Sequence, residues 1–314
     1  MNNEKSITQS QSARRKTIVD VMKRWQLYLM LLPALVYTLL FSYKPMYGIL
    51  IAFQDYRLKK GIWGSEWVGL DNFRRIFASY WFPVIMKNTL SISILSLILG
   101  FPIPIIIALL ANELKSNKGK KIFQTVSYAP HFISTVVMCG IITMFLNPNT
   151  GIINKIIEAL GGEAIYFMQH AKYFPWLYVI SGIWQEAGWG SIIYFAALSA
   201  VDKEQLEAAQ IDGANRIQRV IHINFPVLKP TIVIMFILKC GALLGVGHEK
   251  VYLLQTTTNL SASEVISTYV YKMGLEHSDF AFSTAAGLLN NVVNVIILLL
   301  VNYISKKIGE SSLF

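Results

Sequence analysis

Six long apolar stretches constrain this chain more than any other feature of its 314-residue sequence. A helix needs about 20 predominantly apolar residues to cross a bilayer, and each stretch is close to that length. Charged residues make up 15% of the chain, against about 25% in soluble domains. We therefore predict an all-α polytopic membrane protein with six transmembrane helices, of which the fourth and fifth are the least uniformly apolar. The predicted spans are Gln26–Tyr43, Thr89–Ala111, Phe123–Leu146, Phe174–Ala200, Leu228–Val246 and Phe282–Ile304.

The distribution of lysine and arginine predicts which side of the membrane each loop faces. Cytoplasmic loops carry an excess of these residues. Residues 1–25 hold six of them and residues 112–121 hold four, and segments 202–230 and 305–314 are basic as well. An even number of spans places both termini on one side, and we predict that this side is the cytoplasm. Loop 44–87 is also basic, but longer loops follow the rule less closely.

These boundaries divide the chain into three parts. We predict a cytoplasmic tail at 1–25, a transmembrane domain at 26–304 and a second cytoplasmic tail at 305–314. The apolar run that follows residue 25 is too long for the hydrophobic region of a signal peptide, so we expect it to remain in the membrane.

The net charge of +10 does not indicate a nucleic-acid-binding protein. The basic residues flank the apolar spans, as they do at a membrane surface, and do not form one soluble basic face. Cys139 and Cys240 both lie in apolar spans. We interpret them as small buried hydrophobic residues and not as a disulfide pair.

The sequence lacks the motifs of common enzyme sites. No phosphate-binding G-x-x-x-x-G-K-[ST] occurs, and the basic cluster at 118–121 is interpreted as a topological signal. The five histidines do not have the spacing of a metal site, and no G-x-S-x-G elbow is present. We predict that the chain is not an enzyme and that it binds no metal or cofactor itself.

A polar segment interrupts the apolar chain between residues 202 and 226. Asp202 is a candidate N-cap, with Gln205 completing a capping box, and a first helix is predicted over Lys203–Ile211. Asp212-Gly213 is a turn signal. A second helix is predicted over Asn215–Asn224, ending before Pro226. An ordinary solvated connector between two spans is the alternative interpretation.

The same segment resembles the EAA signature of permease subunits in binding-protein-dependent ABC importers. The resemblance implies a type I importer permease fold, in which this segment is a coupling helix seated in a groove of a cytoplasmic ATPase. Phe225 stands where the signature usually has leucine. The residues that match, and to which the resemblance gives the coupling role, are Glu207, Ala208, Ala209, Asp212, Gly213, Ile223 and Pro226.

Further motifs extend the resemblance to sugar permeases over nearly the whole chain. They are Trp67–Phe73 followed by Asn88-Thr89, Ala129–Ser134, and Gly151–Asn154. The Thr268–Tyr271 run resembles a narrower branch that handles oligosaccharides from complex polysaccharides such as pectin.

The resemblance also implies the partners of the chain. These are two copies of an ATPase that uses ATP and Mg, a second permease subunit forming a heterodimer, an extracellular solute-binding protein and an oligosaccharide substrate. The expected location is the bacterial cell membrane, surrounded by lipid, and no nucleic acid is expected.

Polar side chains at membrane depth are candidates for a substrate path, because such groups are costly unless they face a cavity or another helix. Gln185 and Glu186 lie in the fourth span with Trp189 nearby, and Asn290 and Asn294 share one face of the sixth. Sugars bind amides, carboxylates and flat aromatic faces. The alternative for the two asparagines is hydrogen bonding between helices.

Three further groups have open interpretations. The run His248-Glu249-Lys250 and Tyr252 follow the fifth span and would receive substrate at the outer mouth, or belong to an ordinary solvated loop. Glu186 would line the path, or neutralise Lys239. Gly241 and Gly245 form a G-x-x-x-G pattern that favours close helix packing, for which the second permease is one candidate.

Two functions of other classes compete with the importer hypothesis. An ion-driven secondary transporter would use Glu186 and Lys239 as coupling charges. A membrane sensor would bind a loaded partner and move nothing. The complete EAA pattern favours the importer over both.

Overall fold

Helices make up most of the structure, which is a computed structural model that describes residues 24–114 and 116–314. The all-α prediction is confirmed, apart from one antiparallel pair of two-residue strands, β1 (Gln54–Asp55) and β2 (Glu66–Trp67). The predicted tail at 1–25 lies outside the described residues except for Arg24 and Trp25. The helices are α1 Trp25–Phe53, α2 Gly61–Gly64, α3 Asp71–Ala78, α4 Phe82–Asn112, α5 Asn117–Phe132, α6 Thr135–Phe145, α7 Ile152–Ala159, α8 Phe174–Leu198, α9 Lys203–Ile211, α10 Arg216–Gly241, α11 His248–Leu254, α12 Leu260–Ser263, α13 Ile266–Tyr271 and α14 Phe280–Lys307.

Four helices in the described part of the chain are long and apolar enough to cross a membrane: α1, α4, α10 and α14. The pair formed by α5 and α6 would count as a fifth span. Helix α8 has 25 residues, or about 37 Å at 1.5 Å per residue, but Gln185 and Glu186 make it less apolar. The count of six spans therefore stays a prediction.

The third predicted span is not one straight helix. We expected it over Phe123–Leu146, whereas α5 and α6 meet at a bend of 97°. Pro130 lies in a 3-10 turn at the end of α5, and the Ser134 side chain then caps α6 by accepting from Val137 N at 3.4 Å. The Ile133 carbonyl at the bend accepts a hydrogen bond from Gln185 Nε2 at 2.9 Å.

Wide π-turns precede three prolines inside the long helices. The turns Leu39–Tyr43, Ser96–Gly100 and Val220–Asn224 each end two residues before a proline, namely Pro45, Pro102 and Pro226. Proline lacks an N–H and its ring collides with the carbonyl four residues earlier. A π-turn changes the local bonding register and accommodates the ring without ending the helix.

The prediction that the second helix of the polar segment 202–226 ends before Pro226 is therefore wrong. Helix α10 runs unbroken through Pro226 and Pro230 to Gly241. The second helix of the polar segment and most of the fifth predicted span are therefore one helix.

Two glycines in the fifth predicted span do not share a helix face. Gly241 is the last residue of α10, and a Cβ there would collide with Leu298 of α14. Gly245 lies in the turn that follows. Close packing at Gly241 is thus made within the chain.

The buried side chain of Asn72 connects α3 to the end of α1 and to β1. Asn72 Nδ2 donates to Ala52 O at 3.1 Å and to Gln54 O at 3.0 Å. Arg75 Nη2 pairs with Asp279 Oδ2 at 2.7 Å, which ties α3 to the start of α14. The motif that begins at Trp67 therefore fixes loop structure.

Candidate functional site

The polar segment forms the helical hairpin that its sequence predicts, which we call the hairpin (residues 202–224). Helix α9 covers Lys203–Ile211, as predicted, and Asp202 Oδ1 accepts from Glu204 N at 2.9 Å. Gln205 does not complete a capping box. The reciprocal box belongs to the second arm, where Asn215 Oδ1 accepts from Gln218 N and Gln218 Oε1 accepts from Asn215 N.

Gly213 makes the turn between the two arms. Its φ of +81° lies in the left-handed region, where side chains other than glycine cost about 1–2 kcal/mol. Ala214 N donates to Ala209 O at 2.8 Å across the turn. No heavy atom lies within 4 Å of a Cβ built at Gly213, so the need for glycine comes from the backbone angle and not from crowding.

The hairpin presents apolar and small side chains on its outer surface. Ile211 is 86% exposed and Ile217 is 70% exposed, and Glu207 and Ala208 are exposed beside them. Exposed apolar side chains gathered on one polar element mark an interaction surface.

A partly buried cluster fixes the hairpin to the end of α4. Glu113 Oε2 lies 3.8 Å from Arg219 Nη2, and Glu113 Oε1 accepts from Asn224 Nδ2 at 3.4 Å. Asn224 is fully buried. At the same end, Lys229 of α10 pairs with Glu310 at 2.5 Å, so the chain beyond α14 also lies beside the hairpin.

Removing the Glu113 side chain is expected to loosen this attachment. In Glu113→Ala the Asn224 amide loses its acceptor, and an unpaired buried donor costs about 1–3 kcal/mol. Glu113→Gln keeps an amide oxygen for Asn224 and is the matched control. Thermal unfolding of the purified chain in detergent should give a lower midpoint for the alanine variant than for glutamine. Equal midpoints would contradict this role of the cluster.

A cavity of about 570 Å³ lies between α4, α8, the end of α10 and the start of α11. Its wall is mainly apolar and contains a small number of polar groups, as binding cavities usually do. The charged or amide side chains in the wall are Gln185, Glu186, Lys239 and Lys250, and the aromatic ones are Phe101, Tyr178, Trp189 and Tyr194.

The bend between α5 and α6 brings His131 to Glu186 and Trp189. His131 Nδ1 lies 3.0 Å from Glu186 Oε2, and its ring stacks on Trp189 with centroids 4.5 Å apart. Glu186 thus pairs with His131, and the interpretation that it neutralises Lys239 is wrong. The bend places His131 within ion-pair distance of Glu186, whereas Lys239, on α10, forms no ion pair with Glu186 in the described part of the chain.

Gln185 and its neighbours lie in the cavity wall as the sequence suggested, and Lys250, a candidate for receiving substrate at the outer mouth, lies in this wall as well. Sequence reasoning missed His131. A proline next to a histidine inside an apolar run was the available signal for His131, because interrupted helices accompany binding sites in transporters. For Lys250 no local signal shows that the side chain is buried against Tyr178 of α8.

The remaining candidate path residues lie away from this cavity. Asn294 Oδ1 accepts from Leu244 N at 3.0 Å, an attachment of α14 to the turn after α10, and Asn290 lines a separate small cleft beside Leu244. Tyr252 donates to Glu276 Oε1 at 3.2 Å, and this hydrogen bond raises the pKa of Tyr252. Glu249 is exposed. Their role in a path stays a prediction.

Comparison with known proteins identifies the family. Residues 100–310 match the binding-protein-dependent transport system inner membrane components. The chain belongs to this family. It is a multi-pass permease subunit of the cell membrane.

Two relatives and two solved structures show how far the similarity of this permease extends. The polygalacturonan/rhamnogalacturonan transport system permease protein YteP of Bacillus subtilis (strain 168) is 44% identical over 96% of this chain and 94% of its own length. Protein LplB of the same organism is 44% identical over 93% of this chain and 91% of its own length.

A crystal structure of a bacterial ABC transporter involved in the import of the acidic polysaccharide alginate contains a chain with TM-score 0.86 and 39% identity. That similarity covers 94% of this permease and 100% of the other chain. A second structure, of the alginate transporter in complex with an alginate pentasaccharide-bound periplasmic protein, gives a TM-score of 0.85 with 39% identity over 94% and 98%. The fold of this permease is therefore that of the type I ABC importers.

Proposed function

We propose that this permease is the membrane subunit of an ATP-driven importer of oligosaccharides. The observation that carries the proposal is the exposed hairpin with its EAA residues, attached through Glu113 and Arg219 to α4 and continuous with α10. The similarity to YteP supports oligosaccharides as the substrate class, because that relative is described as a polygalacturonan/rhamnogalacturonan permease.

The hairpin couples the permease to a separate ATPase, of which two copies bind ATP and Mg. Ala208 and Ala209 allow a close approach of the ATPase surface, and Ile211 and Ile217 supply apolar contacts. The remaining signature residues shape the hairpin around its turn or join it to α10, namely Glu207, Asp212, Gly213, Ile223 and Pro226.

The cavity is the substrate path. Gln185 and Glu186 present hydrogen-bonding groups to sugar hydroxyls, and Trp189 presents an aromatic face. A second permease subunit completes the path, and an external solute-binding protein delivers the oligosaccharide to it.

The proposed topology has six spans with both termini in the cytoplasm. Helix α8 is the remaining proposed span. It is less apolar than the others because its middle carries Gln185 and Glu186 in the cavity wall. The ion pair of Lys229 with Glu310 supports a C-terminus on the side of the hairpin.

Transport proceeds by alternating access. ATP binding closes the ATPase dimer, and the hairpins transmit that movement through α10 to the cavity, which opens outward. Hydrolysis returns the cavity to the inward-facing state. ATP and substrate each shift this equilibrium only by as much as they favour one state over the other.

Purification of the tagged permease from its native membrane tests this function. We expect an ATPase, a second six-span permease and a solute-binding protein to co-purify, and the complex to import an oligosaccharide in proteoliposomes only when ATP is enclosed. Recovery of the permease alone, in a form that transports sugar without ATP, would refute the importer assignment and favour an ion-driven transporter.

A further inference from the structure

One lysine in the cavity wall is buried, and no carboxylate of the described residues lies within ion-pair distance of it. The Lys250 side chain is 9% exposed, and its ammonium donates to the carbonyl oxygen of Tyr178 at 3.0 Å. The same ammonium lies 4.7 Å from the centre of the Tyr178 ring. An ammonium has three N–H donors, and the backbone carbonyl uses one of them.

The charges of the cavity wall do not balance. Its charged side chains are Glu186, Lys239 and Lys250, and Glu186 already pairs with His131. Among residues 24–114 and 116–314, no carboxylate forms an ion pair with Lys239 or Lys250. A buried charge without a counter-ion is unfavourable, and burial accordingly lowers the pKa of Lys250 to about 8. An anion in the cavity would relieve this cost.

A half-buried lysine outside the cavity, Lys272, offers a comparison. Lys272 pairs with Glu264 Oε2 at 2.6 Å and bonds Gln255 Oε1 at 2.7 Å. Its charge is neutralised by an ion pair within the protein, whereas Lys250 has no carboxylate within ion-pair distance and lies at the cavity wall.

We infer that Lys250 and Lys239 form a carboxylate-binding subsite in the cavity, which receives the uronate groups of an acidic oligosaccharide. This inference rests on the proposed import function and adds the charge of its substrate. Lys250 binds the carboxylate at the buried end of the subsite, and Lys239, which is more exposed, supplies a second cation from α10. A neutral oligosaccharide would leave both ammonium groups without a counter-charge.

Direct binding to the assembled complex tests the subsite. The permease pair with its ATPase is held in nanodiscs without binding protein, so that the binding protein cannot impose its own selectivity. The probes are trigalacturonate and its carboxyl-reduced, neutral counterpart. We expect the wild-type complex to bind the acidic sugar at least about tenfold more tightly.

Variants separate the subsite from general effects. Lys250→Met and Lys239→Met should each reduce the preference for the acidic sugar, and Lys250→Arg should retain part of it. Lys155→Met removes an exposed lysine of α7 outside the cavity and should leave the preference unchanged. Because Lys239 is exposed, its variant stays informative if Lys250→Met does not fold.

A pH series tests the same inference in the unaltered protein. Below pH 8 Lys250 carries its charge, and above it the charge is lost, since burial lowers its pKa to about 8. Affinity for trigalacturonate should therefore fall as the pH rises from 7 to 9, and affinity for the neutral sugar should not. Tyr178, Cys139, Glu186 and Glu249 are the other titratable groups near Lys250. Lys250→Met should abolish the pH effect if the lysine causes it.

The outcomes distinguish this inference from the proposed function. Equal affinity of the wild-type complex for both sugars, or a preference that survives both methionine variants, would overturn the subsite. Absence of binding to either sugar would overturn it as well. In each case ATP-dependent import in proteoliposomes still decides whether the chain is an importer permease.

Discussion

Replacing Gly213 with proline is expected to reduce oligosaccharide uptake by at least about tenfold. Proline fixes φ near about −65°, whereas the turn of the hairpin needs +81° at this position. The two arms then cannot keep their relative orientation, and a strained backbone residue costs about 1–3 kcal/mol. A cost of about 1.4 kcal/mol lowers an equilibrium constant, here that for forming the native turn, by a factor of about ten. Gly213 is exposed, so the rest of the fold should remain intact.

Gly213→Asn is the matched control for this substitution. Asparagine tolerates the left-handed region better than most other side chains. No heavy atom lies within 4 Å of a Cβ at this position, so the side chain also fits. Uptake and ATP hydrolysis are measured together in proteoliposomes. We expect the proline variant to hydrolyse ATP without uptake, and the asparagine variant to keep both. Wild-type uptake by the proline variant would refute the coupling role of the hairpin.

A bulky residue at Ala208 tests contact separately from the shape of the turn. Ala208 is exposed, so Ala208→Trp should leave the hairpin folded and change only the surface that we propose as the ATPase contact. We expect the ATPase to be lost from the purified complex or uncoupled from uptake. Unchanged coupling would mean that another surface carries the contact.

Local signals were enough to predict the hairpin. The N-cap at Asp202 and the glycine at 213 act on their own few residues, so α9 and the turn lie where the sequence places them. The end of the second arm was predicted wrongly, because Pro226 was treated as a helix stop. The π-turn before it accommodates the ring, and hydrophobic patterning carries no information about a π-turn.

Long-range packing decided the features that the sequence did not predict. The run from Phe123 to Leu146 is mostly apolar, and at its bend the Ile133 carbonyl is bound by Gln185 of another helix. The partner of Glu186 follows from that bend, since it brings His131 within 3.0 Å. Residues of the cavity were recognised one by one from their polarity, but their pairing required the three-dimensional arrangement.

Replacing Gly188 with alanine is expected to destabilise the membrane domain strongly. A Cβ at this position would collide with the backbone carbonyl of Ser127 in α5. Ser127 Oγ bonds Phe123 O at 2.7 Å within a helical turn, so that backbone cannot move without shifting α5. Overpacking a close contact costs about 1–3 kcal/mol, occasionally more. Because the collision here is with backbone, we expect a loss of stability at the upper end of this range.

Gly140→Ala is the matched control, because it also lies in a helix of the bent pair and nothing lies within 4 Å of its Cβ position. Glycine in a helix is less stable than alanine by about 0.5–1 kcal/mol, so this variant should unfold at an equal or higher temperature in detergent. Gly188→Ala should unfold at a lower temperature. It should also lose uptake, because the crossing of α5 and α8 at Gly188 holds His131 against Glu186 and Trp189. Equal thermal midpoints for the two variants would show that the crossing is not as close as this packing requires.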